Sequence, residues 1–208
     1  MKKGLFITLE GIEGVGKSTH AVFIAELLQN NGHEVTLTRE PGGTGTGEAI
    51  REILLHHKVE NIADATELLL IFSARAQHLD EVIRPALAKN TSIVCDRFTD
   101  ATYAYQGGGR GLGKDKVRLL EDWVQEGLKP DLTLLFDAPV VTGLSRAKKR
   151  SAADRFESET IAFFEQVRSA YLDIARAEPE RVYVIDAAQS LQQVQADISE
   201  LFKRKGLC

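Results

Sequence analysis

The chain has 208 residues, 43% of them hydrophobic and 27% charged, with a formal net charge of −4. That length is enough for one domain with a substantial buried core. The acidic balance excludes a surface built as a general magnet for nucleic acid or membrane, so any anion chemistry must come from local clusters.

No apolar run approaches the ~18 residues that a transmembrane helix needs, and in MKKGLFITLEG glycine and charge interrupt the apolar run too early for a secretory signal to be expected. The two cysteines are Cys95, inside an apolar run, and Cys208, the last residue, a usage that suits a reducing compartment. A soluble cytoplasmic protein is the expectation.

In chain order, five short apolar runs are predicted as strands: 5–9, 34–38, 92–96, 132–137 and 182–186. They are nearly continuously apolar and rich in β-branched residues, as strands buried on both faces are. Helical patterns lie between them at Lys17–Asn30, Gly47–His57, Asp64–Lys89, Lys114–Glu126, Val140–Lys149, Ser158–Ala177 and Leu191–Arg204. Alternation of this kind predicts an α/β fold, a five-stranded parallel sheet flanked by helices, in a single domain spanning 1–208. One segment departs from the pattern. Ser145–Arg155 is crowded with Arg146, Lys148, Lys149, Arg150 and Arg155 and reads as an exposed basic flap.

The first strand runs into LEGIEGVGKST, in which Gly11 and Gly16-Lys17-Ser18 have the spacing of a phosphate-binding loop between strand and helix. Glycines let backbone N–H groups turn inward as an anion nest, and the helix adds its positive end. Gly11, Ile12, Glu13, Gly14, Val15, Gly16, Lys17, Ser18 and Thr19 are thus candidates for holding a nucleoside triphosphate, with Lys17 on the terminal phosphates and Ser18 on Mg²⁺. No Asn-Lys-x-Asp segment that could read guanine occurs, which favours ATP.

Three segments at predicted strand ends could hold an acceptor, since ligands bind at that edge of a doubly wound sheet. They are Arg39-Glu40-Pro41-Gly42-Gly43-Thr44, Asp96-Arg97-Phe98 and Thr102 through Arg110, which includes Tyr105, Gln106 and a glycine run. A monophosphate wants bidentate guanidinium donors, and a base wants an apolar face and a reader for its polar edge. Arg39, Arg51, Arg97, Phe72, Tyr105 and Gln106 could supply those parts. Phe72 by default is core, and Arg51 and Arg75 taken singly would be solvated helix residues. The five histidines read as helix or loop surface residues.

The set LEGIEGVGKST, TREPGGT, LLLIFSARAQH, DRFTDATYAYQGGGRGL and DRFE resembles the bacterial thymidylate kinase family, in order and with compatible spacing over about 5–171. The resemblance implies ATP-dependent phosphorylation of dTMP to dTDP on the way to dTTP, with Mg²⁺. It implies that Arg39, Arg51 and Arg97 hold the dTMP phosphate and that Phe72 stacks on thymine. Many relatives carry the aromatic one place earlier, where this chain has Ile71. Arg75, Thr102 and Gln106 would read the base edge, and Tyr105 would pack against the sugar and favour deoxynucleotides. Glu13 would sit near the sugar 3′-hydroxyl and the metal, with Ser18 and Asp96 as the other metal-side residues. The bond before Pro41 is a candidate cis peptide. The phosphate loop carries no spare basic residue, so a lid arginine, Arg150 or Arg155, would neutralise the transferring group. A homodimer is implied; the segment 64–89, more apolar than one sheet face needs, is the expected face, and neither nucleic acid nor membrane is expected as a partner. The competing readings are a kinase for another nucleoside monophosphate and a P-loop ATPase switch.

Overall fold

The structure, a computed structural model, describes residues 3–56, 62–148, 155–157 and 159–207. The strands are β1 (Phe6–Glu10), β2 (Val35–Arg39), β3 (Ser92–Asp96), β4 (Leu132–Asp137) and β5 (Val182–Asp186), and all their pairings are parallel. Their order across the sheet is β2-β3-β1-β4-β5. β1 is therefore central, buried along its whole length, and the chain reverses direction of travel on either side of it. Such a switch point opens a crevice at the carboxyl ends of the strands.

The helices are α1 (Lys17–Asn30), α2 (Gly45–His56), α3 (Asp64–His78), α4 (Arg84–Ala88), α5 (Thr99–Thr102), α6 (Lys114–Gln125), α7 (Val140–Lys148), α8 (Ile161–Ala177) and α9 (Leu191–Arg204). Where side chains cap them, the reason is local. Thr160 accepts from the Phe163 N–H at 3.2 Å, and Ser190 from the Gln193 N–H at 3.3 Å, each satisfying an orphan donor of the first turn. No described helix is long and apolar enough to cross a membrane.

Two features differ from the sequence expectation. The single helix predicted over Asp64–Lys89 is interrupted by a π-helical turn at Leu79–Ile83. Pro85 explains it: proline has no N–H and its ring crowds the carbonyl four residues back, so the wider turn accommodates it. The second is the glycine run, which lies outside every helix predicted from the sequence. Thr99–Thr102 continues as a π-helix over Tyr103–Gly109, so this stretch is ordered wall rather than loose connection. A Cβ at Gly108 would stand 2.9 Å from that of Ala170, and one at Gly109 2.6 Å from the Phe163 ring. These glycines let the segment lie against α8.

The main core cluster joins both faces of the sheet to α1, α8 and α9 through residues such as Leu9, Ile24, Leu134, Phe164 and Phe202. Glu10, at the end of β1, is buried with them. Burial, then the nearby Asp100, pushes its carboxyl up to about 8. It accepts from the Phe98 N–H at 2.7 Å and from the Tyr171 hydroxyl at 2.8 Å. The Phe98 bond clamps the backbone next to Arg97, which is held at φ 70°, a conformation that a non-glycine residue adopts only when its surroundings enforce it.

Candidate active site

Residues Leu9 and Glu10 deliver the chain into a loop in which Gly11, Gly14 and Gly16 all have positive φ. At Gly14 a Cβ would lie 1.9 Å from the Gly143 carbonyl oxygen of α7, so the loop can only close this tightly with glycine there. Ile12 and Val15 bury their side chains in the core and leave their backbone to the loop. Lys17 opens α1 and turns back across the loop, donating to the carbonyls of Gly11 at 3.0 Å and Ile12 at 2.7 Å. Burial, and secondly the positive Arg97, pushes its ammonium down to about 8. Thr19 lies exposed on the first turn of α1.

A cavity of about 290 Å³ starts at Gly14, Gly16, Lys17 and Ser18 and runs along the strand ends. Of the sequence-predicted acceptor residues, Arg39, Pro41, Arg51, Arg75, Arg97, Thr102, Tyr105 and Gln106 all line it, together with Glu13 and Asp96. They come from elements well separated in the chain, and the strand ends bring them together. The Glu40–Pro41 bond is cis.

At the junction between loop and acceptor wall stands Arg97. Its guanidinium donates to the Gly11 carbonyl and to Glu13 Oε1, both at 2.7 Å. The Tyr105 hydroxyl also donates to Glu13, at 2.7 and 2.8 Å to its two oxygens. Glu13 is thus the partner that aims Arg97 and Tyr105, and its carboxylate is committed to them. Opposite this pair, the Ser18 hydroxyl donates to Asp96 Oδ2 at 2.9 Å. Among the described residues no group of three or more His, Cys, Asp or Glu forms a metal cage. A hydroxyl backed by one carboxylate suits Mg²⁺, which keeps water and phosphate oxygens as most of its ligands.

Arg75 is buried, only 1% exposed. Its Nε donates to Glu40 Oε2 at 2.7 Å and one Nη to Thr102 Oγ1 at 2.9 Å. The other nitrogen, Nη1, has no hydrogen-bond partner among the described residues. Glu40 in turn meets His78 Nδ1 at 2.9 Å, and His78 Nε2 meets Thr38 Oγ1 at 2.7 Å. Reading the histidines as surface residues missed this one, which is fully buried. His20 is buried too, stacked on Phe136 with its Nδ1 2.9 Å from the Gly16 carbonyl. A carboxylate, a histidine and an arginine far apart in sequence gave no local signal of their network.

The position expected for a stacking aromatic requires correction. Phe72 does not line the cavity; it packs with Leu68 of α3 and Val117 of α6, under the Arg75 guanidinium at 4.8 Å. Ile71, one residue earlier, lines the cavity beside Leu54 and Leu55. Three residues before Arg75 the helix faces its neighbour, and four residues before it faces the cavity.

Arg150 and Lys149 lie outside the described residues. Arg146 donates to the Ala187 carbonyl at 2.7 Å, a structural tie away from the cavity. Arg155 is drawn onto the acceptor wall: its Nε donates to the Leu54 carbonyl at 2.8 Å, and its guanidinium pairs with Glu67. It is therefore not an extended flap residue in this arrangement.

The thymidylate kinase family model matches residues 9–198. The chain is 60% identical to the thymidylate kinase of Pseudomonas putida strain GB-1 over 198 residues, covering 95% of this chain and 94% of that one. It is 56% identical to the thymidylate kinase of Thiobacillus denitrificans over 200 residues, 96% and 97% of the two chains. The crystal structure of thymidylate kinase from Ehrlichia chaffeensis superposes with a TM-score of 0.80 at 31% identity, covering 97% of this chain and all of that one.

Proposed function

The chain belongs to the thymidylate kinase family, and from that premise we propose how its residues carry out ATP-dependent phosphorylation of dTMP to dTDP. The triphosphate end of ATP lies on the Gly11–Ser18 loop, and dTMP fills the cavity between Arg39, Arg51, Arg75 and Gln106. An oxygen of the dTMP phosphate attacks the γ-phosphorus in line; the bond to the β,γ-bridging oxygen breaks, and ADP keeps that electron pair. A phosphate monoester is already mostly ionised near neutrality, with a second pKa of about 6, so no strong base is needed. Lys17 and Arg97 share the charge that spreads over the transferring group. Mg²⁺, when bound at Ser18 and Asp96, neutralises phosphate charge.

One observation carries the base assignment. Arg75 Nη1 is a buried guanidinium donor with no hydrogen-bond partner among the described residues, and Arg75 lines the cavity. An unpaired buried donor is costly unless a ligand completes it. The C4 carbonyl of thymine is such an acceptor, and Ile71 and Leu54 supply apolar cover for the ring. A coupled assay of ADP formation tests the reading. Turnover should require a monophosphate, with dTMP best, dUMP weaker and CMP, AMP and GMP near background. ATP hydrolysis indifferent to any monophosphate would reveal a P-loop switch instead.

The Lys17 environment adds a pH dependence. Phosphates beside the ammonium raise its pKa above the free value of about 8, so ATP binding takes up a proton and weakens as pH rises past 8. Calorimetry at pH 8 in two buffers of different ionisation enthalpy should show an uptake of about half a proton per ATP. No uptake, or release, would contradict it.

We also propose a homodimer. Leu69 on α3 is 53% exposed, and Leu119 and Trp123 on α6 are 71% and 77% exposed. The last two, four residues apart, form one apolar stripe beside α3. Sedimentation should give twice the chain mass, and Trp123→Lys should return it to one chain. A wild-type monomer at micromolar concentration would refute the assignment.

A further inference from the structure

Glu67, on α3, is fully buried and does not itself line the cavity. Its Oε1 accepts from Gln106 Nε2 at 2.7 Å and from Arg110 Nε at 3.3 Å. Its Oε2 accepts from Arg110 Nη2 at 3.3 Å and from Arg155. Arg110 is also tied to Glu159 at 2.6 Å. Two guanidinium groups thus hold the carboxylate in a fixed place, and the Gln106 amide rests against it.

An amide has the same shape in its two flipped orientations, so its partners decide which is adopted. An ionised carboxylate only accepts hydrogen bonds. The atom of Gln106 that faces Glu67 must therefore be the NH2 group. The opposite orientation would set carbonyl oxygen against carboxylate oxygen in a buried site, where both would lose a bond and repel. Gln106 lines the cavity, so the polar atom it has left to offer there is its oxygen.

We infer that Glu67 is a positioning residue for pyrimidine specificity: by holding Gln106 Nε2, it makes the Gln106 side chain a hydrogen-bond acceptor toward the base. This rests on the dTMP reading above. Thymine presents a C4 carbonyl and, beside it, an N3–H. Arg75 Nη1 offers the donor for the first and Gln106 Oε1 the acceptor for the second. Cytosine presents the reverse, an amino group at C4 and an unprotonated N3, so it meets donor with donor and acceptor with acceptor. The plainer role for Glu67 is to neutralise Arg110 and Arg155, which would not distinguish the two bases.

The test compares kcat/KM for dTMP and dCMP in the wild-type protein and in Glu67→Gln, with calorimetric affinities for both monophosphates alongside. The substituted amide can donate as well as accept, which frees Gln106 to turn. The preference for dTMP over dCMP should fall at least tenfold, with dCMP gaining ground. Equal losses on both substrates, leaving their ratio unchanged, would assign Glu67 a structural role only and overturn the proposal. Should Glu67→Gln not fold, Gln106→Leu with the same pair keeps the question open to an answer: the ratio should fall there too, and an unchanged ratio overturns the proposal. A wild-type protein that phosphorylates neither substrate would instead overturn the reading on which this one rests.

Discussion

Replacing Arg97 with alanine should lower kcat for dTMP phosphorylation by about 10³-fold, within the range found when a charge-stabilising arginine is withdrawn from phosphoryl transfer. The guanidinium touches both halves of the site, through Gly11 on the donor loop and Glu13 beside the acceptor wall. No other described guanidinium bridges the two in this way. Its placement is built into the backbone: φ is 70° at Arg97, and Glu10 clamps the next N–H. Because the loop and Lys17 remain, ATP affinity measured by calorimetry should change by less than about threefold, since a loss confined to the transition state leaves ground-state binding intact. A variant that loses ATP binding as steeply as turnover would mean that Arg97 supports the loop and not the transfer. Arg97→Lys should recover little, since one ammonium cannot span both partners as a fork does.

Arg75→Met should damage recognition and stability together, for separable reasons. The first is loss of a charge-assisted hydrogen bond to the base, worth about 1.5–3 kcal/mol, which raises the dTMP dissociation constant roughly 10- to 100-fold. The second is that Glu40, 4% exposed, is left without its guanidinium partner. Breaking a buried pair on one side costs about 3–5 kcal/mol. Glu40→Gln added to Arg75→Met removes the uncompensated charge, so thermal stability should return in large part while dTMP affinity stays low. If the double variant regained affinity as well, Arg75 would act on the fold alone. If Arg75→Met bound dTMP normally, the base assignment would fail.

Much of this is legible in the sequence. Strands such as Ser92–Asp96 and Leu132–Asp137 are nearly continuous apolar runs, and a sheet buried on both faces leaves them little else to be. The loop Gly11–Ser18 declared itself by spacing, and the acceptor residues followed from their positions just past strand ends. What stayed hidden depended on direction and on distant partners. Ile71 and Phe72 are adjacent on one helix, and only the placement of α6 decides which of them faces the cavity. The glycines at 107–109 read only as a glycine run, because sequence cannot show that α8 presses against Gly108 and Gly109. His78 and Glu67 sit among helical residues with no pattern of their own, and they are paired with Glu40, Gln106, Arg110 and Arg155, 38 to 88 positions away in the chain. The basic segment ahead of Arg155 promised a flap. Arg155 itself is bound to Leu54 and Glu67, while Arg150 lies outside the described residues.

The central claim is that donor loop and acceptor wall share one cavity, so that the phosphoryl group passes directly from ATP to dTMP. Stereochemistry at phosphorus tests this most directly. ATP made chiral at the γ-phosphorus with oxygen isotopes should yield dTDP with inverted configuration, as one in-line displacement requires. Retention would contradict the account, since it demands two displacements and a phosphorylated protein group between them.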